Sequence, residues 1–108
     1  LWAPSKGGAS VVVYIPNGTV WTQENFVEIF EKTTRNLIDG VLSGYNATIF
    51  AYGATGAGKT YTMMGPDWKD PVAAGIIPRV FKHVMNIIES EKDKKFLVRC
   101  TYIEIYNN

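Results

Sequence analysis

The sequence predicts an α/β fold organised around a central parallel strand, and three observations lead to this prediction. Residues 47–52 are apolar at almost every position, which suits a strand that is covered on both faces. Residues 22–44 and 76–90 instead repeat apolar residues at the three-and-four spacing of a helix. A glycine-rich segment, 53–60, follows the apolar strand directly and leads into a further helical stretch.

Composition limits the chain to one globular domain and excludes some partners. Its 108 residues include 46% hydrophobic, 13% aromatic and 19% charged residues, which is enough apolar material for a core. The formal net charge of +1 gives no electrostatic argument for nucleic acid as a partner. No apolar run approaches the roughly 18 residues of a membrane span, and no signal-peptide pattern is present.

Cysteine usage indicates a reducing compartment such as the cytoplasm. Cys100 is the single cysteine, so it has no partner within the chain for a disulfide. One cysteine and one histidine, His83, cannot supply the usual four-ligand structural zinc site.

Residues 1–21 are predicted to form a lead-in followed by a small hairpin. The run 10–15 is rich in β-branched residues and is stopped by the turn signal of residues 16–18, Pro-Asn-Gly.

A helix is predicted over 22–44. Thr22 is a suitable N-cap, and Gly44 is expected to end the helix. Gly40 lies inside the pattern and costs roughly 1 kcal/mol relative to alanine, so we expect a close packing contact there. The stripe is expected to face the core and comprises Phe26, Phe30, Leu37 and Val41.

The second half of the chain predicts an interrupted helix and a final strand. The helix occupies 61–65 and 76–90, because the breakers that begin at Gly65 introduce an exposed loop between the two pieces. His83 falls on the polar side of the second piece and is expected to be solvated. Residues 96–106 are dense in Val, Ile, Tyr and Phe and are predicted to form a long strand.

Residues 53–60 match the P-loop pattern, whose residue types suit the binding of a polyphosphate. Glycines let backbone amides approach a polyphosphate, and the following helix N-terminus adds a favourable partial charge. Lys59 would reach the β- and γ-phosphates, and Thr60 would place its hydroxyl on Mg²⁺. The predicted cofactor-binding residues are Gly53, Ala54, Thr55, Gly56, Ala57, Gly58, Lys59, Thr60 and Tyr61, with Thr60 as the metal ligand. Two roles stay open for Tyr61: packing in the first helical turn, or stacking on or beside adenine.

Residues 44–65 resemble the P-loop region of the kinesin motor domain, from the strand before the glycines to the Tyr-Thr-Met after them. Residues 75–79 and 102–107 are similar to the restart of the kinesin helix and to the next strand, so the resemblance covers roughly 20–108. It implies a P-loop NTPase fold with a central, mostly parallel sheet and helices on both faces. It also implies binding of ATP or ADP with Mg²⁺, an ATPase that moves on microtubules, and a cytoskeletal location such as a spindle or ciliary axoneme.

Departures from the family pattern shape the expected activity. Ala54 stands where many kinesins have Gln, and the Gly-Ala-Thr-Gly loop resembles the kinesin-8 group. Neither family switch motif appears in the sequence, so no catalytic residue is assigned here. We therefore expect the N-terminal part of a motor domain that is inactive alone, with its microtubule-gripping elements elsewhere and its oligomeric state undetermined.

Two alternatives to a hydrolysing motor remain. One is a static, non-hydrolysing kinesin-like component of a microtubule assembly. The other is a different P-loop enzyme such as a small nucleotide kinase, in which the helix after the P-loop should be longer than 60–64.

Overall fold

The computed structural model describes residues 22–54 and 56–106, and its regular secondary structure there is helical. The hairpin predicted within 1–21 lies outside the described residues. The helices are α1 at Gln23–Ile29, a π-helical turn at Phe30–Thr34, α2 at Arg35–Leu42, α3 at Lys59–Met64 and α4 at Ile76–Ser90.

α1, the π-helical turn and α2 form one continuous helix, in agreement with the helix predicted over 22–44. Thr22 caps its start, with the Oγ1 atom accepting from the backbone N–H of Asn25 at 3.3 Å. Gly44 follows its end with a φ of +105°, a left-handed conformation that glycine adopts without a Cβ penalty. The helix therefore begins and ends for the capping reasons that the sequence suggests.

Two buried threonines, Thr33 and Thr34, lie at the end of the π-helical turn. The Oγ1 atom of Thr33 donates to the carbonyl of Ile29, and it lies 3.2 Å from Oγ1 of Thr34. Thr34 is only 2% exposed, so this hydroxyl pairing lets two polar side chains enter an apolar surface.

The core lies where the long helix packs against α4. Phe26, Phe30 and Ile38 from the long helix are buried, as the helical spacing predicts for the two phenylalanines, whereas Val41 of the same predicted stripe is 42% exposed. Gly40 differs from its prediction: apart from its chain neighbours and the backbone of its own helix, no described atom lies within 4 Å of the position that a Cβ would take. Close packing among the described residues therefore does not explain this glycine.

The interrupted helix is present as α3 and α4, which a glycine neck joins. The N–H of Gly75 donates to the carbonyl of Met64 at 3.0 Å, and Gly65 has a φ of +78°. A Cβ on Gly75 would lie 2.6 Å from the backbone nitrogen of Gly65. Two side-chain-free residues are thus needed for the chain to close the loop of residues 66–74 at its base.

The strands predicted over 47–52 and 96–106 are not present as strands in the described part of the chain. A β-strand is defined by backbone hydrogen bonds to a neighbouring strand, and no such neighbour is found among residues 22–54 and 56–106. The prediction of a sheet is therefore not confirmed, whereas the helices of the α/β prediction are observed.

The length and polarity of each helix decide whether it could cross a membrane. Within residues 22–54 and 56–106, every helix is too short or too polar to cross a bilayer.

Candidate functional site

The predicted P-loop forms a tight turn that leads into α3. Within it, the N–H of Ala57 donates to the carbonyl of Ala54 at 3.0 Å. Gly56 and Gly58 have φ values of +83° and +100°, which non-glycine residues rarely adopt. Thr55 lies outside the described residues. The backbone conformation therefore favours glycine at both positions, where the residues also add no side chain to the turn.

The glycine-rich turn is fastened to the first turn of α3. Gly58 is the N-cap of the helix, and its carbonyl accepts from both the N–H of Thr62 at 2.9 Å and the Thr62 hydroxyl at 2.8 Å. Lys59 and Thr60 consequently occupy the first two helical positions, where backbone N–H groups lack partners within the helix.

Lys59 folds back across the turn. Its Nζ donates to the carbonyl of Gly53 at 2.5 Å, so the ammonium group lies over the start of the same loop whose end carries Thr60. Thr60 is exposed. A cation, a hydroxyl and an open, glycine-rich turn are the donor set that a Mg²⁺-polyphosphate requires, so the residues present fit the predicted ligand.

Tyr61 contacts the long helix. Its ring centroid lies 5.9 Å from that of Phe26, with 32° between the planes, and the residue is 39% exposed. Both roles left open for Tyr61 remain compatible with this geometry, because one part of the ring packs while another is accessible.

Arg79 secures the loop between α3 and α4. Its Nε donates to the carbonyl of Ala74 at 2.8 Å, and Nη2 donates to that of Val72 at 3.2 Å. Burial lowers the pKa of the Arg79 guanidinium, although such a group stays charged at neutral pH. Arg79 thereby stabilises the glycine neck from the side of α4.

His83 was expected to be solvated, and this prediction is wrong. Its side chain is only 15% exposed, and Nε2 lies 2.8 Å from Oδ1 of Asp39 on the long helix. Its ring also meets Phe30 edge-on, with centroids 5.9 Å apart. The helical spacing of residues 76–90 assigns His83 to a polar face, but it cannot reveal that an aspartate on another helix faces the same side.

A groove of about 490 Å³ is lined by residues of the loop 66–74 and of α4. Its walls include Met64, Trp68, Pro71, Ile77, Arg79 and Phe81. The described residues, those of the groove included, contain no group of three or more His, Cys, Asp or Glu side chains placed to hold a metal ion.

A glycine-rich turn that opens a helix at Lys-Thr is typical of P-loop nucleotide-binding proteins. The particular family is shown by the family model described as "Kinesin motor domain", which matches residues 13–108. The chain belongs to the kinesin motor domain family. This confirms the resemblance on which the fold and function were predicted.

Curated relatives agree with this assignment. "Kinesin-like protein KIF3C" of Pongo abelii is 48% identical over 79 residues, covering 73% of this chain and 10% of the relative. "Kinesin-like protein KIF15" of Homo sapiens is 45% identical over 94 residues, covering 80% of this chain and 7% of the relative. The chain thus spans about a tenth or less of the length of these relatives. These matches do not test the resemblance to the kinesin-8 group, which stays a prediction.

Proposed function

We propose that this chain is the ATP-binding segment of a kinesin motor that couples ATP hydrolysis to movement or force on microtubules. One observation carries the proposal: in a chain of the kinesin motor domain family, a glycine-rich turn leads directly into α3, and Lys59 at the start of that helix donates back to the carbonyl of Gly53. Location on the microtubule cytoskeleton, in the cytoplasm, a spindle or a ciliary axoneme, is part of the same proposal.

In this proposal each residue of the turn has a separate task. Amides between Gly53 and Gly58 donate to phosphate oxygens, and the positive φ values of Gly56 and Gly58 turn the backbone without placing a Cβ in the way. Lys59 exchanges its contact with the Gly53 carbonyl for the β- and γ-phosphates. Thr60 holds Mg²⁺, which neutralises phosphate charge when it is bound.

The proposed sheet explains the two apolar segments that lack secondary structure. We place residues 47–52 and 96–106 as strands of the mostly parallel sheet of the complete motor domain. Catalytic groups that sense the γ-phosphate would come from other parts of that domain, since this sequence contains neither switch motif.

Replacing Lys59 by alanine in the full-length protein tests the nucleotide site. We expect Mg-ATP affinity to fall by about 10- to 100-fold, because a hydrogen bond to a charged phosphate is lost. Lys69→Ala is the matched control, since Nζ of Lys69 lies over the Trp68 ring, 5.2 Å from its centroid, rather than at the P-loop. Equal affinities of the two variants for Mg-ATP, measured by calorimetry, would contradict the site.

Two further measurements separate the alternatives for the whole protein. Sedimentation with microtubules that depends on whether ATP or ADP is bound supports a motor and argues against a small nucleotide kinase. ATP turnover stimulated by microtubules argues against a static kinesin-like component. Binding to microtubules without turnover would favour the static component instead.

A further inference from the structure

The contact between Phe26 and Tyr61 joins two elements that are far apart in sequence. Phe26 lies in α1 and is 5% exposed, whereas Tyr61 directly follows the proposed Mg²⁺ ligand Thr60 in α3. Their ring centroids are 5.9 Å apart with the planes tilted by 32°, within the range in which aromatic rings attract each other.

The two rings differ in how firmly they are held. Phe26 sits one helical turn before Phe30 of the π-helical turn, whose ring contacts His83 of α4, so the long helix that carries Phe26 is packed against α4. Tyr61 belongs to a helix of only six residues and keeps 39% of its surface exposed. Phe26 therefore offers a fixed surface against which the more exposed Tyr61 ring can be oriented.

We propose that Phe26 is a positioning residue for nucleotide binding. Its ring holds Tyr61 so that the exposed part of the tyrosine contacts the base of a bound nucleoside triphosphate. Phe26 acts through Tyr61 and does not touch the ligand. This proposal rests on the proposed function, and it assigns base recognition to Tyr61 and Phe26 together, separately from phosphate recognition by Lys59 and Thr60.

The test compares two ligands that differ in whether they carry a base. Affinities for Mg-ATP and Mg-tripolyphosphate are measured on the full-length protein with Phe26→Leu and Phe26→Met, which both remove the ring but keep an apolar side chain. We expect Mg-ATP to bind about three- to tenfold more weakly, matching the strength of an aromatic pair, and tripolyphosphate to bind as in the unaltered protein. Phe26→Tyr keeps the ring and should retain Mg-ATP affinity.

A double-mutant cycle distinguishes positioning from general packing. If Phe26 acts through Tyr61, adding Phe26→Leu to Tyr61→Leu should cause no further loss of Mg-ATP affinity. Val27→Ala, which alters an exposed neighbour in α1, serves as the control and should leave both affinities unchanged.

Three results would overturn the proposal: unchanged Mg-ATP affinity in both ring-free variants, additive losses in the cycle, or an equal loss for tripolyphosphate. Equal loss for both ligands would mean that Phe26 supports the whole P-loop as core packing. Failure of the proposed function would look different, because Lys59→Ala would then leave tripolyphosphate affinity unchanged.

Discussion

The packed helices and the two unpaired apolar segments use similar residues with opposite outcomes. Phe26, Phe30 and Ile38 of the long helix are 5–8% exposed. Phe50 and Ile105, in the segments predicted to be strands, are 81% and 91% exposed. Hydrophobicity alone therefore does not decide which parts of this chain are buried.

The difference follows from where the backbone finds its hydrogen bonds. A helix satisfies its N–H and C=O groups internally, so the long helix can bury part of its apolar face against neighbouring helices alone. A strand depends on neighbours for both hydrogen bonds and side-chain cover. The described residues do not supply the neighbouring strands that the predicted sheet would require.

Replacing Phe50 by alanine should have the largest effect, and it tests the comparison most directly. If 47–52 is a buried strand in the complete motor domain, the loss of a core phenylalanine should lower the free energy of unfolding by about 3–5 kcal/mol. Trp68→Ala is the control: Trp68 is 60% exposed in the loop, so its removal should cost about 1 kcal/mol or less.

Chemical denaturation of a protein that contains the whole motor domain provides the measurement. A Phe50→Ala effect no larger than that of Trp68→Ala would show that this segment is a surface feature. The proposal of a central strand over 47–52 would then fail.

The same physical distinction sets how much of the fold the sequence could predict. Local signals, such as the Thr22 cap, Gly44 and the breakers beginning at Gly65, predict helix limits that lie close to the observed ones. The apolar run 47–52 signals burial, but strand pairing depends on residues distant in sequence. Such pairing cannot be read from a local pattern.

A second prediction compares two glycines whose surroundings differ, Gly75 in the neck and Gly40 in the long helix. Gly75→Ala should lower the free energy of unfolding by about 1–3 kcal/mol, because the added Cβ would lie 2.6–2.7 Å from backbone atoms of Gly65, Met63 and Met64. Gly40→Ala should instead raise it by about 1 kcal/mol, since alanine favours helix and the space around Gly40 is open among the described residues.

Thermal melting of the two variants gives the measurement. Destabilisation by Gly40→Ala would mean that another part of the motor domain packs closely on this residue, as its place in the helical pattern suggests. A neutral Gly75→Ala would mean that the neck between α3 and α4 can widen.

The candidate site shows which functional contacts a sequence can predict and which it cannot. The P-loop residues are contiguous, so their spacing alone predicts a shared role for Lys59 and Thr60. The partnership of Phe26 with Tyr61 and that of Asp39 with His83 arise only when separate helices pack. A helical pattern identifies each residue's face but not its partner on another helix.

The smallest predicted effect compares a hydrogen-bonded side-chain pair between two helices with an ion pair on a single helix. Nε2 of His83 lies 2.8 Å from Oδ1 of Asp39; the histidine side chain is 15% exposed and the aspartate side chain 50%. Lys32 and Glu28 are 2.6 Å apart on the long helix, but their side chains are 60% and 55% exposed. Solvent screens the second pair more strongly, and both of its long side chains lose conformational freedom when they meet.

Alanine double-mutant cycles on the two pairs should therefore differ. We expect a coupling energy of about 1 kcal/mol for Asp39 with His83 and less than about 0.5 kcal/mol for Glu28 with Lys32. Equal coupling energies would show that Asp39 and His83 meet without stabilising the packing of the long helix on α4. The packing of the long helix on α4 would then depend on apolar contacts alone.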